Sequence, residues 1–276
     1  MRVAVLGSSG AMGSYFVRRF LESGHTVTGH DPRKSKLQPG LLLANSNALA
    51  VREAGVVLIS VPIVDTVKVG REIAPHLKVG SVLLEIASLK TGVHDKLIEA
   101  LGEKRVRLIS VHPMFGPRST SPKPKILVLG GPRELAVTRS IFPWAQLIAV
   151  NEKAHDRTMA YALNMVHLLN LAFVSALSKR VGIQEFAKVS SPLGTAQLTI
   201  AEAVLSQDPS LYSLIQLANP FAADALSSFI RELQSLTKIV RDHNHDEFER
   251  RFSSMSREFP RADLRNALDT IYASFD

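Results

Sequence analysis

Up to about residue 150, short aliphatic and β-branched runs alternate with longer stretches whose apolar positions recur every three or four residues. The short runs are RVAVLG (2–7), TVTGHD (26–31), VVLISVP (56–62), SVLLEIA (81–87), RVRLIS (105–110) and KILVLGG (125–131). Helical stretches such as MGSYFVRRFLESG and VDTVKVGREIAPHL lie between several of them. Strands separated by helices of that length predict βαβ units and a mainly parallel sheet. From EKAHDRTMAYALNMV onward the alternation disappears and only the helical period survives, which predicts an all-helical second domain. The expected division is an α/β domain over 1–150 and a helical domain over 151–276.

The most apolar long run, ALNMVHLLNLAFVSAL (162–177), is too short for a membrane span and carries Asn164, His167 and Asn170. It is expected as a buried helix, with no membrane association. The chain has 276 residues, 46% of them hydrophobic, and so can bury a sizeable core. It contains no cysteine, which excludes disulfides and cysteine-ligated metals; no metal site is expected. The opening MRVAVLG already reads as a strand, leaving no room for a signal peptide, so a cytoplasmic location is expected.

The formal net charge of +8 is unevenly placed. Residues 1–150 carry 20 Lys/Arg against 10 Asp/Glu, and residues 151–276 carry 13 against 15. The basic residues are scattered, without aromatic interleaving or a polybasic run, so no nucleic-acid partner is expected. A domain that binds anionic small molecules accounts for the excess.

The chemistry begins in VAVLGSSGAMGSYF, which follows the first strand and opens a helix. Gly7, Gly10 and Gly13, three apart, let backbone approach a pyrophosphate seated on the helix N-terminus; Ser8, Ser9, Ala11 and Met12 complete the loop. The next strand ends in Asp31, placed to bond adenosine ribose hydroxyls and to repel a 2′-phosphate. NAD is therefore the expected cofactor. Arg33, Lys34 and Lys36 follow and can attract that phosphate, which keeps NADP possible. Val61 and Pro62 end a later strand at the sheet's carboxyl edge, where ligands of open α/β sheets bind. Ser88 and His112 end two further strands at the same edge; a serine there can equally cap a following helix.

The segments IASLKTG, SVHPMFGP, HDRTMAYALNMVHLL, SSPLGTAQL and SQDPSLY resemble prephenate dehydrogenases, in the same order and at similar spacing, from residue 1 to about 240. The resemblance implies a Rossmann-type domain followed by a helical domain that builds a homodimer. It implies NAD(P)-dependent oxidative decarboxylation of prephenate, or of arogenate, to 4-hydroxyphenylpyruvate or tyrosine in tyrosine biosynthesis. It gives His112 the role of accepting the ring-hydroxyl proton and Ser88 that of orienting the histidine or the hydroxyl. Activity is expected to rise with pH through a pKa near neutrality. His167 matches a family histidine of the substrate region.

The match fails at one place. Family members carry an arginine four residues before the Gln-Asp-Pro turn, which grips the ring carboxylate; here the turn is Gln207-Asp208-Pro209 and the matching residue is Ala203. Another arginine of some members falls on Thr195, and Lys188 is the only basic residue between 181 and 230. Arg118, directly after HPMFGP, is the expected replacement, with Lys123 or Lys125 beside it. Two other readings stay open: a dinucleotide-binding regulatory domain with altered catalysis, and a dehydrogenase of another small acid.

Overall fold

The protein, described here from a computed structural model, is defined over residues 1–33 and 38–275. It divides into two compact units, Met1–Asp156 and Arg157–Asp276. Lys34 and Lys36 lie outside the described residues.

Eight strands of the first unit form one sheet: β1 (Arg2–Leu6), β2 (Thr26–His30), β3 (Leu41–Leu43), β4 (Val56–Ile59), β5 (Val82–Glu85), β6 (Arg107–Pro113), β7 (Lys125–Leu129) and β8 (Gln146–Val150). Their spatial order is β3-β2-β1-β4-β5-β6-β7-β8. The first six positions follow the doubly wound dinucleotide-binding order, which reverses direction between β1 and β4. All neighbours are parallel except β6 and β7, which run antiparallel, with His112 opposite Leu127. All six expected strands are present. The short β3 and the half-exposed β8 carry little apolar alternation and escaped the sequence pattern.

Helices cover both faces. α1 (Ala11–Glu22) and α5 (Pro132–Ile141) lie on one, where Phe16, Phe20 and Phe142 are fully buried with Val3, Val5 and Val128. α2 (Asn47–Val51), α3 (Ile63–Ile73) and α4 (His94–Leu101) cover the other, around Leu6, Val57, Ile59, Leu83 and Leu97. Near-continuous burial along β1, β4 and β5 explains their unbroken aliphatic runs, since a parallel strand has no solvated face. The chain then enters α6 (Glu152–Met159). The first unit ends within α6, at Asp156, because the side chains of His155 and Asp156 bond to residues of the β5 and β6 segments.

Two glycines fix the tight passage from β1 into α1. Gly7 sits at φ +79°, and a Cβ there would overlap the Ser60 carbonyl. A Cβ on Gly13 would overlap the Gly7 carbonyl, so only glycine lets α1 start this close to β1.

Within the second unit, a π-helical turn over Ala160–Met165 leads into α7 (Val166–Arg180). There follow α8 (Ile183–Val189), α9 (Pro192–Leu205), α10 (Pro209–Ala218), α11 (Ala222–Arg241), α12 (His245–Ser256) and α13 (Arg261–Phe275). The apolar run 162–177 is helical but not buried as expected. Its inward positions are the polar ones: Asn164 donates to the Ile215 carbonyl, and Asn170 accepts from Gln197. Tyr161, Val166, Leu169 and Leu171 face outward and stay exposed in the single chain. The bonds of Asn164 and Asn170 to Ile215 and Gln197 draw these polar positions inward, which leaves the apolar ones between them facing outward. Among the described residues one helix, Glu152–Arg180, is by length and composition long and apolar enough to cross a membrane.

Gly13→Ala is expected to force α1 away from β1. Denaturant unfolding of the variant should show a loss of about 1–3 kcal/mol, the usual size of overpacking.

Candidate active site

The carboxyl edge of the sheet is organised around Lys90. Its side chain is buried, 3% exposed, in the loop after β5. The ammonium donates to Glu85 Oε1 at 2.7 Å and to the Val111 carbonyl at 2.8 Å, tying the end of β5 to β6. Glu85, itself fully buried, spends its other oxygen on the Ala87 amide. Burial pushes the Lys90 pKa down, and the Glu85 carboxylate opposes that shift. An ammonium with its carboxylate 2.7 Å away is the paired arrangement that makes a buried charge tolerable.

His112 follows Val111 and stands at the end of β6, 4% exposed. Its Nδ1 lies 3.0 Å from His155 Nε2. His155 Nδ1 lies 2.6 Å from Asp156 Oδ1. The Asp156 carboxylate also accepts from the Lys90 amide, the Thr91 amide and the Thr91 hydroxyl, at 2.6 to 3.1 Å. Burial alone would raise the pKa of Asp156; the bonds from His155, Thr91 and Lys90 hold it well below the carboxylate range, so it is an anion. His112 is pushed well below the ordinary histidine value, first by burial, then by Lys90 and His155. The expectation of a pKa near neutrality is corrected accordingly: a buried imidazole next to a lysine ammonium resists a second proton. Nearby, His94 Nδ1 meets the Ser110 hydroxyl at 2.7 Å, and its Nε2 is 3.6 Å from Glu152.

Ser88 is half-buried and makes no hydrogen bond to His112; the orienting contact expected of it comes from His155. His155 and Asp156 open the family-like segment HDRTMAYALNMVHLL, but sequence reasoning gave them no site role. The usable signal was the helical spacing of Glu152, His155 and Asp156, which sets three ionisable groups on one face.

The glycine loop fits a dinucleotide. α1 is capped by Gly10 without a side-chain hydrogen bond, which leaves its first amides for an anion. The buried hydroxyls of Ser8 and Ser60, on the loop and at the end of β4, have no hydrogen-bond partner among the described residues. Asp31 is held in place: one oxygen accepts from the Ser9 amide at 3.1 Å, the other from the Arg33 amide at 2.9 Å. Arg33 is exposed, its guanidinium 3.5 Å from Asp31 and beside Gly10. Ser9 and Met12 are half-buried, Ala11 is exposed, and Val61 and Pro62 lead into α3.

Arg118 is exposed on the loop that leaves β6, as are Lys123 and Lys125. Its neighbours Pro117 and Ser119 line hollows against Tyr15 and Arg18 of α1. His167, in the second unit, is buried and stacked on Tyr212 with ring centroids 4.2 Å apart; its Nδ1 has no partner. Burial lowers its pKa.

Comparison with known proteins adds the family. The nucleotide-binding domain of prephenate dehydrogenase matches residues 17–125, and the dimerization domain of prephenate dehydrogenase matches residues 151–254. A probable arogenate/prephenate dehydrogenase of Methanocaldococcus jannaschii is 27% identical over 290 aligned positions, covering 100% of this chain and 65% of the relative. This chain thus spans slightly less than two thirds of that protein. A 4-amino-4-deoxyprephenate dehydrogenase of Streptomyces pristinaespiralis is 25% identical, covering 92% of this chain and 90% of the relative. The crystal structure of prephenate dehydrogenase from Aquifex aeolicus, in complex with hydroxyphenyl propionate and NAD+, shares the fold with a TM-score of 0.74 at 16% identity, covering 94% and 96% of the two chains. Two domains of one family, in order and together spanning most of the sequence, settle the assignment: the chain belongs to the prephenate dehydrogenase family.

Proposed function

We propose that this protein is an NAD(P)-dependent dehydrogenase that oxidatively decarboxylates prephenate or arogenate in tyrosine biosynthesis, as a soluble cytoplasmic enzyme. The observation that carries the reading is His112: a neutral, buried imidazole at the carboxyl end of β6, held through Nδ1, with no hydrogen-bond partner at Nε2 among the described residues. Such a group accepts a hydrogen bond from the substrate's ring hydroxyl at C4 and takes its proton as the hydride leaves that carbon. The bond from C1 to the ring carboxylate breaks, its electrons enter the ring, and CO2 departs. The proton then returns to the phenolic oxygen, so none is released overall. Bound nicotinamide supplies the hydride acceptor. Gly7 to Gly13 hold the pyrophosphate, the unpaired Ser8 and Ser60 hydroxyls bond the dinucleotide, and Asp31 bonds the ribose and favours NAD. Arg33, beside Gly10, suits a 2′-phosphate and supports use of NADP. Ser88, at the end of the neighbouring strand segment, contacts the ring hydroxyl.

A second reading has one observation in its favour. The Streptomyces relative matches nine tenths of both chains, and a ring amine donates to the same imidazole as a ring hydroxyl.

We further propose that the protein is a homodimer through the helical unit. Exposed Leu169 and Leu171 on α7, Leu193 and Ile200 on α9 and Leu264 and Leu268 on α13 support it, together with the match to a dimerization domain. Exposed apolar patches of this extent mark interfaces, and two-fold dimers are the commonest closed assembly.

The direct test offers prephenate, arogenate and 4-amino-4-deoxyprephenate, each with NAD and with NADP, and follows nicotinamide reduction. Reduction with at least one of them is expected; none with any would overturn the reading. His112→Asn should keep cofactor affinity and lower kcat roughly 10²- to 10⁴-fold. Because the pKa of His112 is depressed, the wild-type rate should stay level down to about pH 6.5 and fall only on further acidification. A rate that is still rising above pH 7 contradicts this.

Arg118, with Lys123 or Lys125, is proposed to hold a substrate carboxylate in place of the family arginine missing at Ala203; His167 offers its unpaired nitrogen to the substrate. Arg118→Ala should raise the substrate KM roughly 10- to 100-fold, the worth of a bond to a charged group. An unchanged KM for every substrate turned over rejects that role. Light scattering at micromolar concentration should give twice the 30.2 kDa chain mass, and the monomer mass would refute the dimer.

A further inference from the structure

We propose that His155 and Asp156 are positioning residues that fix the tautomer of His112, so that His112 Nε2 carries the lone pair that takes up the substrate proton. The inference rests on the reading of His112 as the proton acceptor. It adds a device that sets which of its two nitrogens can act.

The argument starts from constitution. An ionised carboxylate can only accept. Two of the donors to Asp156 cannot change roles, the Lys90 and Thr91 amides; the Thr91 hydroxyl, at 2.6 Å, donates because its partner is a carboxylate. The fourth contact, His155 Nδ1 at 2.6 Å, therefore carries a hydrogen. A neutral imidazole with hydrogen on Nδ1 has its lone pair on Nε2. That lone pair lies 3.0 Å from His112 Nδ1, and one of the two must donate. The donor is His112 Nδ1. Its Nε2 is then bare, the state a general base needs.

The backbone makes this polarity hard to reverse. The amides of Lys90 and Thr91 lie in the loop that the Lys90 ammonium clamps to Glu85 and Val111. The hydrogen-bond direction thus runs from that loop, through Asp156 and His155, to His112. The helix supports it: Glu152, His155 and Asp156 share one face of α6 and meet His94, His112 and the Lys90–Thr91 amides. When Nε2 takes up a proton, the imidazolium still donates through Nδ1 to His155, which donates to the Asp156 anion. The titratable groups facing His112 are the Lys90 ammonium and His155, which oppose its protonation, and Asp156, which favours it.

The test is nitrogen NMR of histidine-labelled full-length protein, which reads the tautomer without substrate, combined with kinetics. In the wild type, His112 should carry its hydrogen on Nδ1. In Asp156→Asn, the fixed donors claim the amide oxygen and turn its NH2 toward His155. His155 and His112 should then both flip to hydrogen on Nε2. Turnover at neutral pH should fall roughly 10²- to 10⁴-fold with little change in KM. Asp156→Asn also weakens the Lys90 loop, so His155 provides variants that leave that loop intact. His155→Ala should release His112 into both tautomers and lower kcat. His155→Gln, whose carbonyl can still accept from His112 Nδ1, should recover about tenfold of the loss. A wild-type His112 with hydrogen on Nε2 overturns the proposal, and so does a His112 tautomer and kcat unchanged in His155→Ala. An inactive wild type whose His112 still flips in Asp156→Asn supports the tautomer device while removing the proton-acceptor reading.

Discussion

A single buried ammonium holds the working edge of the sheet together. Lys90 bonds Glu85 at the end of β5 and the Val111 carbonyl on β6, and its own amide bonds Asp156. Replacing such a pair with hydrocarbon often costs little stability, so its value here is geometric rather than energetic. It fixes the backbone immediately before His112. It also presents two amides to the carboxylate on α6. Remove the charge and three segments lose their common reference point. The same charge, close to His112, adds to burial in keeping the imidazole neutral, so one residue contributes to both the position and the protonation state of the proposed base.

The cofactor loop works by omission. Where Gly7 and Gly13 stand, side chains would collide with backbone; at Gly10, the helix cap leaves its amides open. Ser8 and Ser60 bury hydroxyls that no group among the described residues satisfies, a costly state that a bound polar ligand would relieve. Asp31 is tethered to the loop by the Ser9 amide, so the acid and the glycine turn form one rigid receptor. With Arg33 exposed beside it, acid and base stand at one corner, and the balance between them bears on NAD and NADP alike.

The helical unit places its polar groups in an unusual way. Asn164, His167 and Asn170 face inward, whereas Val166, Leu169 and Leu171 face outward. The inward amides lock α7 against α9 and α10 through specific bonds, and the outward face is left for a partner. A π-helical turn lies where Asn164 makes these bonds, a position such turns often take at functional sites.

Much was legible in the sequence. Alternating aliphatic runs determined the strands of the sheet, because parallel strands are buried on both faces. Three spaced glycines and an acid after β2 pointed to a dinucleotide loop, because Gly7 and Gly13 stand where a Cβ would meet backbone and Asp31 is tied to the same loop by the Ser9 amide. His112 was visible as a polar group at a strand end. What the sequence withheld is what depends on distant partners. Ser88 was expected to orient His112 or the ring hydroxyl; the side chain bonded to His112 is that of His155, 43 positions along the chain. Asp156 looked like an ordinary helix residue, and gains its role from amides 65 and 66 positions earlier. The apolar run 162–177 looked like core, yet its hydrophobicity says only that it seeks cover. Periodicity reports which residues share a face; only the tertiary structure decides what that face meets, because burial and hydrogen bonding are properties of pairs.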